Sequence, residues 1–226
     1  MYSFYEMARA AFGPETQFVR SRIERAWSTL REYVRGVVLD LCCGGGGFSF
    51  AVGERLADRV IGLDIYPPLL HDALAYRRSA RVGFVAGDAR SLPFRDEYFD
   101  SVLLMGNTLA HFSIEEGSMI LQEVRRVLKQ NGVFIVEHQD PVVALLEGEY
   151  SRVTYENWVG ALTVHEKYEA LSGYFVKRYS KGAQNVRIRL YLWPLFLLIH
   201  LSQRCGLRLV ECRWVAKSEA LLIFTK

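Results

Sequence analysis

Apolar and polar positions in the first 140 residues follow two periods in turn. From residue 18 to residue 34, apolar side chains recur every three or four positions, the period of an amphipathic helix. Val37–Leu41 and residues 59–65 are short apolar runs ended by turn residues, which is typical of buried parallel strands. The same alternation then predicts helices over residues 48–56, 67–79 and 118–130, and strands ending at residue 88 and spanning 100–106 and 133–138. This order indicates a parallel sheet covered by helices on both faces.

The pattern changes after Asp140. Strand-like runs follow at residues 163–171, 174–180 and 186–193, and they predict a β-rich insertion. A helix beginning at Pro194 and capped by Gly206 comes next. Two further apolar runs close the chain, and we expect them to form a pair of strands.

Composition narrows the classes of protein to consider. Half of the 226 residues are hydrophobic and 23% are charged, which indicates a folded globular chain. The net charge of +3 is dispersed, so we expect no nucleic-acid partner. No segment supplies the ~20 apolar residues that span a bilayer, so we expect a soluble, cytoplasmic protein without integral membrane association. The four cysteines lack metal-binding or CxxC spacing, and we expect reduced thiols and no metal.

A run of four glycines, Gly44 to Gly47, follows the first strand and opens a helix. The backbone can approach a ligand closely there because no side chain intrudes. Asp40 lies within the end of the preceding strand. Asp64 ends the next strand, at a spacing that suits an acid binding a ribose diol. Either acid alone could be an ordinary turn residue, but their ordered occurrence favours a nucleotide-like ligand.

These residues carry a resemblance to a known family. The segment VVLDLCCGGGGFSF resembles the first motif of class I S-adenosylmethionine-dependent methyltransferases, usually written VLDLGCGTG. The segments GDARSLPF, YFDSVLLMGNTLAHF and LQEVRRVLKQNGVFIVE resemble later motifs in the same order. The small-molecule branch with ubiquinone- and menaquinone-biosynthesis methyltransferases is the most similar. One position departs from the pattern: Cys42 stands where the family has its first glycine, so that position carries a side chain.

The resemblance implies a fold and a set of binding residues. The fold is a Rossmann-like, doubly wound α/β sheet of seven mostly parallel strands with an antiparallel C-terminal strand, plus a β-rich insertion covering the substrate. S-adenosylmethionine is the implied cofactor. At its methionine end the implied contacts are Asp40 and the main-chain carbonyls of Cys42 and Gly44 for the ammonium, and Arg22 or Arg20 for the carboxylate, with Gly46 in the same turn. Asp64 is implied to bind the ribose. The remaining implied contacts are Ile65, Asp88 and Ala89 at the adenine and Asn107 and Leu109 near the sulfonium.

Two histidines are candidate catalytic residues. His111 and His138 follow strands four and five, at the edge of the sheet where ligands bind. Either one could act as a general base if the acceptor must lose a proton. The alternative is that each is an ordinary loop or capping residue.

We expect a single domain with four stretches. These are residues 1–35 as a leading helix or lid, 36–140 as the cofactor-binding core, 141–193 as the substrate cover, and 194–226 as the closing helix and strands. The cover is rich in aromatic residues: Tyr150, Tyr155, Trp158, Tyr168, Tyr174, Tyr179, Tyr191 and Trp193. They suit a small, partly apolar or aromatic acceptor, although any one of them could simply pack the added strands.

Two other functions remain open on sequence grounds. A nicotinamide-dependent oxidoreductase shares the glycine-rich turn and the downstream acid, but it needs a third glycine where Ser49 stands. A non-catalytic regulator could bind the cofactor without turning it over. Base methylation is disfavoured because Asn107-Thr108-Leu109-Ala110 lacks the proline-aromatic motif. The sequence leaves the acceptor and the methylated atom open.

Overall fold

A seven-stranded sheet forms the centre of the protein, which we describe from a computed structural model covering residues 2–76 and 79–226. Three residues lie outside the described part of the chain. They are Met1, in the predicted leading segment, and Arg77 and Arg78, in the helix predicted over residues 67–79. The strands are β1 (Val37–Leu41), β2 (Arg59–Asp64), β3 (Val82–Ala86), β4 (Phe99–Leu104), β5 (Leu128–Gln139), β10 (Arg208–Trp214) and β11 (Glu219–Thr225). Their order is β10-β11-β5-β4-β1-β2-β3. Only β11 runs antiparallel to the others in this sheet.

Helices cover both faces of this sheet, which confirms the doubly wound α/β prediction. They are α2 (Gln17–Tyr33), α3 (Gly47–Arg55), α4 (Pro67–Tyr76), α5 (Ile114–Val127) and α7 (Leu195–Arg204). Successive strand residues point to opposite faces, so neighbours in β1 enter different cores. Val38 packs with α2 and α3, whereas Leu39 packs with α5 and α7. The central strands are mostly apolar because both faces are buried, and several of their polar residues lie at the strand ends.

The helix after the fourth strand differs from its prediction at both ends. A capping box begins it, since Ser113 accepts from the Glu116 amide and Glu116 accepts from the Ser113 amide. It ends at Val127, and Leu128 is already extended. The Asn131-Gly132 pair predicted to close it lies instead within β5, with Asn131 at φ +59°. Asn131 therefore has the left-handed conformation typical of a turn, but it lies within the strand.

The predicted β-rich insertion is a separate four-stranded antiparallel sheet. Its strands, in spatial order, are β6 (Val153–Glu156), β7 (Ala161–Glu169), β8 (Tyr174–Lys181) and β9 (Gln184–Tyr191). We call this the cover sheet. The sequence pattern missed β6, a short strand with mostly exposed side chains.

A single carboxylate joins the two ends of the insertion. Asp140 caps the short helix α6 (Pro141–Leu146), accepting from the amides of Val142 and Val143 at 2.8 and 2.9 Å. Its other oxygen accepts from the amide of Leu195, the first residue of α7, at 2.8 Å. The chain therefore leaves the central fold and returns to it at one point.

The first residues form a helix that the sequence pattern did not reveal. Helix α1 (Tyr2–Ala8) buries Phe4, Met7 and Ala8 against the cover sheet. Its seven residues form about two turns, which is too short for a repeated apolar period along the sequence. No helix within the described residues is both long and apolar enough to cross a membrane.

Candidate functional site

The turn after β1 is built from residues in left-handed conformation. Cys42, Gly44 and Gly46 have φ of +58°, +55° and +79°. Cys42 thus adopts the backbone conformation that glycine accepts most easily, with its side chain partly buried against the core. The chain then enters α3 at Gly47. Four successive residues lack side chains, so the turn presents mainly backbone groups to a ligand.

Asp40 lies at the end of β1 and is almost completely buried, with 2% of its surface exposed. The Ser49 hydroxyl donates to its Oδ2 at 2.5 Å. Burial raises the pKa of Asp40 to about 7, although the bond from Ser49 favours the ionised form. This carboxyl group therefore changes charge near neutral pH.

Asp64 ends β2 directly beside the glycine turn. Its two oxygens accept from the amides of Gly44 and Tyr66, at 2.8 and 2.9 Å. Burial raises the pKa of Asp64, and the amide bonds oppose that shift. Each carboxylate oxygen can accept a further hydrogen bond, so the group can still bind two hydroxyls.

Arg22 of α2 reaches across to Glu137 at the end of β5. Their Nη2 and Oε1 atoms are 3.0 Å apart, and both side chains are buried. The same Glu137 accepts from the Gly106 amide at 2.9 Å. Arg20, the alternative predicted carboxylate contact, pairs instead with the exposed Glu15. Sequence analysis missed Glu137, although an acid at the carboxyl end of a central strand is the signal that identified Asp40.

The loop after β4 places its two predicted contacts differently. Asn107 has φ +55°, and its Oδ1 accepts from the Gln139 amide at 3.2 Å. Its position is therefore fixed between strands β4 and β5. Leu109 is fully buried in the core under α5 and does not face the open space of the site.

The predicted adenine contacts differ in burial and in partners. Arg90 donates to both oxygens of Asp88, the shortest bond being 2.6 Å, and lowers the pKa of Asp88. Ala89 is buried, whereas Ile65 is 40% exposed. These residues, together with Gly46 and Leu109, do not line the cavity described below.

His138 is buried in β5 with a defined tautomer. Its Nε2 is 2.7 Å from the carbonyl oxygen of Trp193. Because a carbonyl only accepts, Nε2 carries the proton and Nδ1 keeps a lone pair. This Nδ1 is buried and has no hydrogen-bond partner among the described residues. Burial lowers the pKa of His138 to about 4, so the ring is neutral at neutral pH.

His111 ends a short 3-10 helix after β4. Its ring lies 6.1 Å from the Phe4 ring and 6.4 Å from the Tyr5 ring, both of α1. Its Nδ1 is buried without a partner in the described part of the chain. Burial lowers the pKa of His111 to about 4. Both candidate bases are therefore uncharged and hold unused nitrogen atoms.

One cavity of about 510 Å³ connects these groups with the cover sheet. Of the predicted residues, the cavity is lined by Arg22, Asp40, Cys42, Gly44, Asp64, Asn107, His111 and His138. From the predicted aromatic residues, it gains Tyr150, Trp158, Tyr179, Tyr191 and Trp193. Tyr155 and Tyr168 are exposed, while Tyr174 packs on Tyr191 and Arg189. The cover sheet and the carboxyl ends of the central strands thus enclose one continuous cavity.

Helix α1 lies over the end of β2. The Tyr5 ring stacks on Tyr66 at 5.7 Å, and the Tyr66 hydroxyl donates to Glu6. Just beyond α1, Arg9 forms a two-point ion pair with Asp72 of α4, at 2.6 and 2.7 Å. Side chains of this segment complete the cavity wall above the glycine turn.

Comparison with known proteins points to one family. Residues 38–132 match the family described as a methyltransferase domain. The 2-phytyl-1,4-naphtoquinone methyltransferase of Synechococcus elongatus is 32% identical over 145 residues, covering 61% of this chain and 60% of that protein. The chain spans about half the length of the demethylmenaquinone methyltransferases that it also matches.

Solved structures extend the similarity over nearly the whole chain. The PH0226 protein of Pyrococcus horikoshii superposes with a TM-score of 0.80 at 29% identity, covering 99% of this chain and 98% of that one. An S-adenosylmethionine-dependent methyltransferase of Clostridium acetobutylicum gives a TM-score of 0.70 at 13% identity, with 91% of each chain covered. The second similarity concerns the fold alone. The match to the methyltransferase domain over residues 38–132, the strand order and the glycine turn agree, and this part of the chain is similar to class I S-adenosylmethionine-dependent methyltransferases.

Proposed function

We propose that this chain is an enzyme that transfers a methyl group from S-adenosylmethionine to a small, partly aromatic acceptor of the quinone or quinol type. The continuous cavity carries this proposal, because it joins the glycine turn and its acids to an aromatic wall. A donor and an acceptor held in one enclosed space can react without competing water. The volume of about 510 Å³ lies within the range of small-molecule sites.

The residues at the glycine turn fit the cofactor by charge. Asp40, with the carbonyls of Cys42 and Gly44, would bind the methionine ammonium, since ionised pairs make the strongest hydrogen bonds. Asp64 would accept from both ribose hydroxyls. Arg22 Nη2 has no hydrogen-bond partner beyond its ion pair with Glu137 in the described residues, and it would bind the methionine carboxylate.

To bind the adenine of the cofactor, Asp88 would have to move away from Arg90 or accept from both groups. Asp88 is paired with Arg90, so the adenine amino group would compete with that guanidinium for the carboxylate. The Ala89 amide and the Ile65 side chain would contact the ring. Gly46 in the turn and Asn107 near the sulfonium would complete the contacts, and Leu109 would support the loop near the sulfonium from the core.

S-adenosylmethionine supplies an already activated methyl group when it is bound. The protein's own task is mainly to position the acceptor and exclude water. If the acceptor is a hydroxyl or an acidic carbon, a neutral histidine can accept its proton. His138 is the better oriented candidate, because the Trp193 carbonyl fixes its tautomer and leaves Nδ1 as an acceptor. His111 lies at the opposite wall beside α1 and is the second candidate.

The acceptor class follows from the cavity wall and from relatives. Aromatic rings on the cover sheet and α1 suit a flat acceptor. A relative named 2-phytyl-1,4-naphtoquinone methyltransferase acts, by its name, on such a ring. Residues 141–193 would serve as the acceptor cover, residues 36–140 as the cofactor-binding core, and residues 1–35 as the lid.

The test has two parts. Calorimetry should detect binding of S-adenosylmethionine and S-adenosylhomocysteine but not of NADH, which separates this proposal from an oxidoreductase. Incubation with reduced naphthoquinones and related phenols should then yield S-adenosylhomocysteine together with a product heavier by one methyl group. Cofactor binding without turnover on any small acceptor would instead support a non-catalytic role.

A further inference from the structure

An ion pair stands on the inner face of the cover sheet, where most neighbouring side chains are apolar or aromatic. Lys177 of β8 donates from Nζ to Oε1 of Glu156 in β6 at 2.5 Å, and both residues line the cavity. Strand β7 lies between their strands, so the pair joins two strands that are not neighbours. The adjacent inner-facing residues Phe175, Tyr179 and Leu190 also line the cavity.

Stability alone is a weak explanation for this pair. Its side chains are only 13% and 22% exposed, and two charges withdrawn from water lose much of their attraction to desolvation. The cover sheet already carries an ion pair on its outer face, where Arg178 of β8 contacts Glu166 of β7 at 2.6 Å. A second pair, which faces a ligand cavity, is better explained by a role in binding a ligand.

Both carboxylate oxygens of Glu156 accept hydrogen bonds, whereas Lys177 donates only one within the described residues. Glu156 accepts from Lys177 with one oxygen and from the Trp158 indole with the other, at 2.9 Å. A lysine ammonium has three donors. Within the described residues, Glu156 is the only hydrogen-bond acceptor of Lys177, and the Tyr179 ring lies 5.3 Å from its Nζ. Lys177 therefore brings unused N–H groups to the cavity.

The charge balance selects the type of group that can bind there. Lys177 and Glu156 together are neutral. A carboxylate placed beside them would leave one buried negative charge uncompensated, which is costly. A hydroxyl or carbonyl oxygen accepts the same hydrogen bond without adding charge.

We propose that Lys177, held in place by Glu156, binds a neutral oxygen of the aromatic methyl acceptor, a ring hydroxyl or carbonyl. The inference rests on the proposed methyl transfer and names the residue that selects its acceptor. The Phe4 ring lies 4.9 Å from the Tyr179 ring and 6.1 Å from the His111 ring. Lys177 and His111 line the same cavity, so an aromatic acceptor bound to Lys177 lies in the space that the histidine also faces.

The experiment measures binding of three probes to the protein saturated with S-adenosylhomocysteine, so that no turnover occurs. The probes are 1-naphthol, naphthalene and 1-naphthoate, which differ only in the group on the ring. The double variant Lys177→Met/Glu156→Gln removes both charges and leaves no unpaired carboxylate, while its glutamine can still accept from Trp158. The control is Arg178→Met/Glu166→Gln, which removes the pair between β8 and β7 on the outer face of the same sheet.

We expect wild type to bind 1-naphthol most tightly of the three. The inner-face variant should weaken 1-naphthol binding about 10- to 100-fold, the range for a hydrogen bond to a charged group, and naphthalene binding less than about 3-fold. The control should bind all three like wild type. Equal losses for 1-naphthol and naphthalene would show that the pair only supports the sheet.

Three other outcomes would also overturn the inference. They are unchanged binding of 1-naphthol to the inner-face variant, preference of wild type for 1-naphthoate, and failure of wild type to bind any probe. Titration of S-adenosylhomocysteine in the same samples tests the cofactor site separately. A protein that binds this cofactor product but none of the probes refutes the role of Lys177 and leaves the proposed methyl transfer in place.

Discussion

At the scale of single residues, the ionisation of Asp40 is expected to control cofactor affinity. Its pKa is about 7 in the free protein because the group is buried. The methionine ammonium needs the ionised form, so binding requires loss of a proton from Asp40 below that pH. Affinity for S-adenosylmethionine should therefore fall about tenfold for each pH unit lowered from 7 to 5. Calorimetry across this range checks it, and Asp40→Asn should bind weakly with little pH dependence.

The Ser49 hydroxyl gives a finer version of the same test. Its bond to Oδ2 stabilises the ionised form of Asp40, so Ser49→Ala should raise the pKa of Asp40 further. The affinity profile of this variant should shift to higher pH. A profile that coincides with wild type would mean that Asp40 does not titrate with cofactor binding.

Asp64 is predicted to contribute through its two oxygens. Asp64→Ala should remove charge-assisted bonds to the ribose and cost roughly 1.5–3 kcal/mol, which is about 10- to 150-fold in cofactor affinity. Asp96→Ala is a matched surface control, because that carboxylate is 73% exposed and pairs with Arg126 outside the cavity. An unchanged dissociation constant for Asp64→Ala would remove this residue from the site.

At the scale of elements, α5 and the end of the cover are fitted together at Gly117. A Cβ at this position would overlap the indole of Trp193, which is completely buried. That indole also donates to the Phe112 carbonyl at 3.0 Å and cannot move freely. Gly117→Ala should therefore destabilise the protein by about 1–3 kcal/mol despite the better helix propensity of alanine.

Denaturant unfolding measures this change. Gly83→Ala is a suitable control, because a Cβ there meets no atom within 4 Å. Loss of stability in both variants to the same extent would show that the fit at Trp193 is not the cause.

Helix α1 is the element for which we predict motion. It closes the cavity with few contacts to the central sheet, chiefly the Tyr5–Tyr66 stack and the Glu6 and Arg9 pairs. We expect hydrogen exchange in residues 2–12 to slow when S-adenosylhomocysteine binds, because the product would fill the space beneath it. Exchange in α5 should change little. Equal exchange of residues 2–12 with and without ligand would make this segment a fixed wall.

At the scale of the whole molecule, the sequence predicted the fold of the central sheet because parallel strands buried on both faces leave strong apolar runs. The family recognition was confirmed by the match over residues 38–132. Helix α1 and strand β6 were missed, since a helix of seven residues is too short to repeat its apolar spacing and a mostly exposed strand shows no apolar alternation. Glu137 and the Lys177–Glu156 pair were missed for another reason. Their roles arise from contacts between distant segments, which spacing along one chain does not encode.

Both ends of the insertion meet at Asp140, and this has a consequence for how the acceptor cover and the cofactor-binding core can evolve. The stretch between α6 and the start of α7 has both of its ends bonded to one carboxylate. A lineage can therefore lengthen, shorten or exchange that stretch without disturbing the order of strands that holds the methyl donor. Changes in acceptor specificity can then arise in the insertion while the residues that bind the methyl donor stay the same.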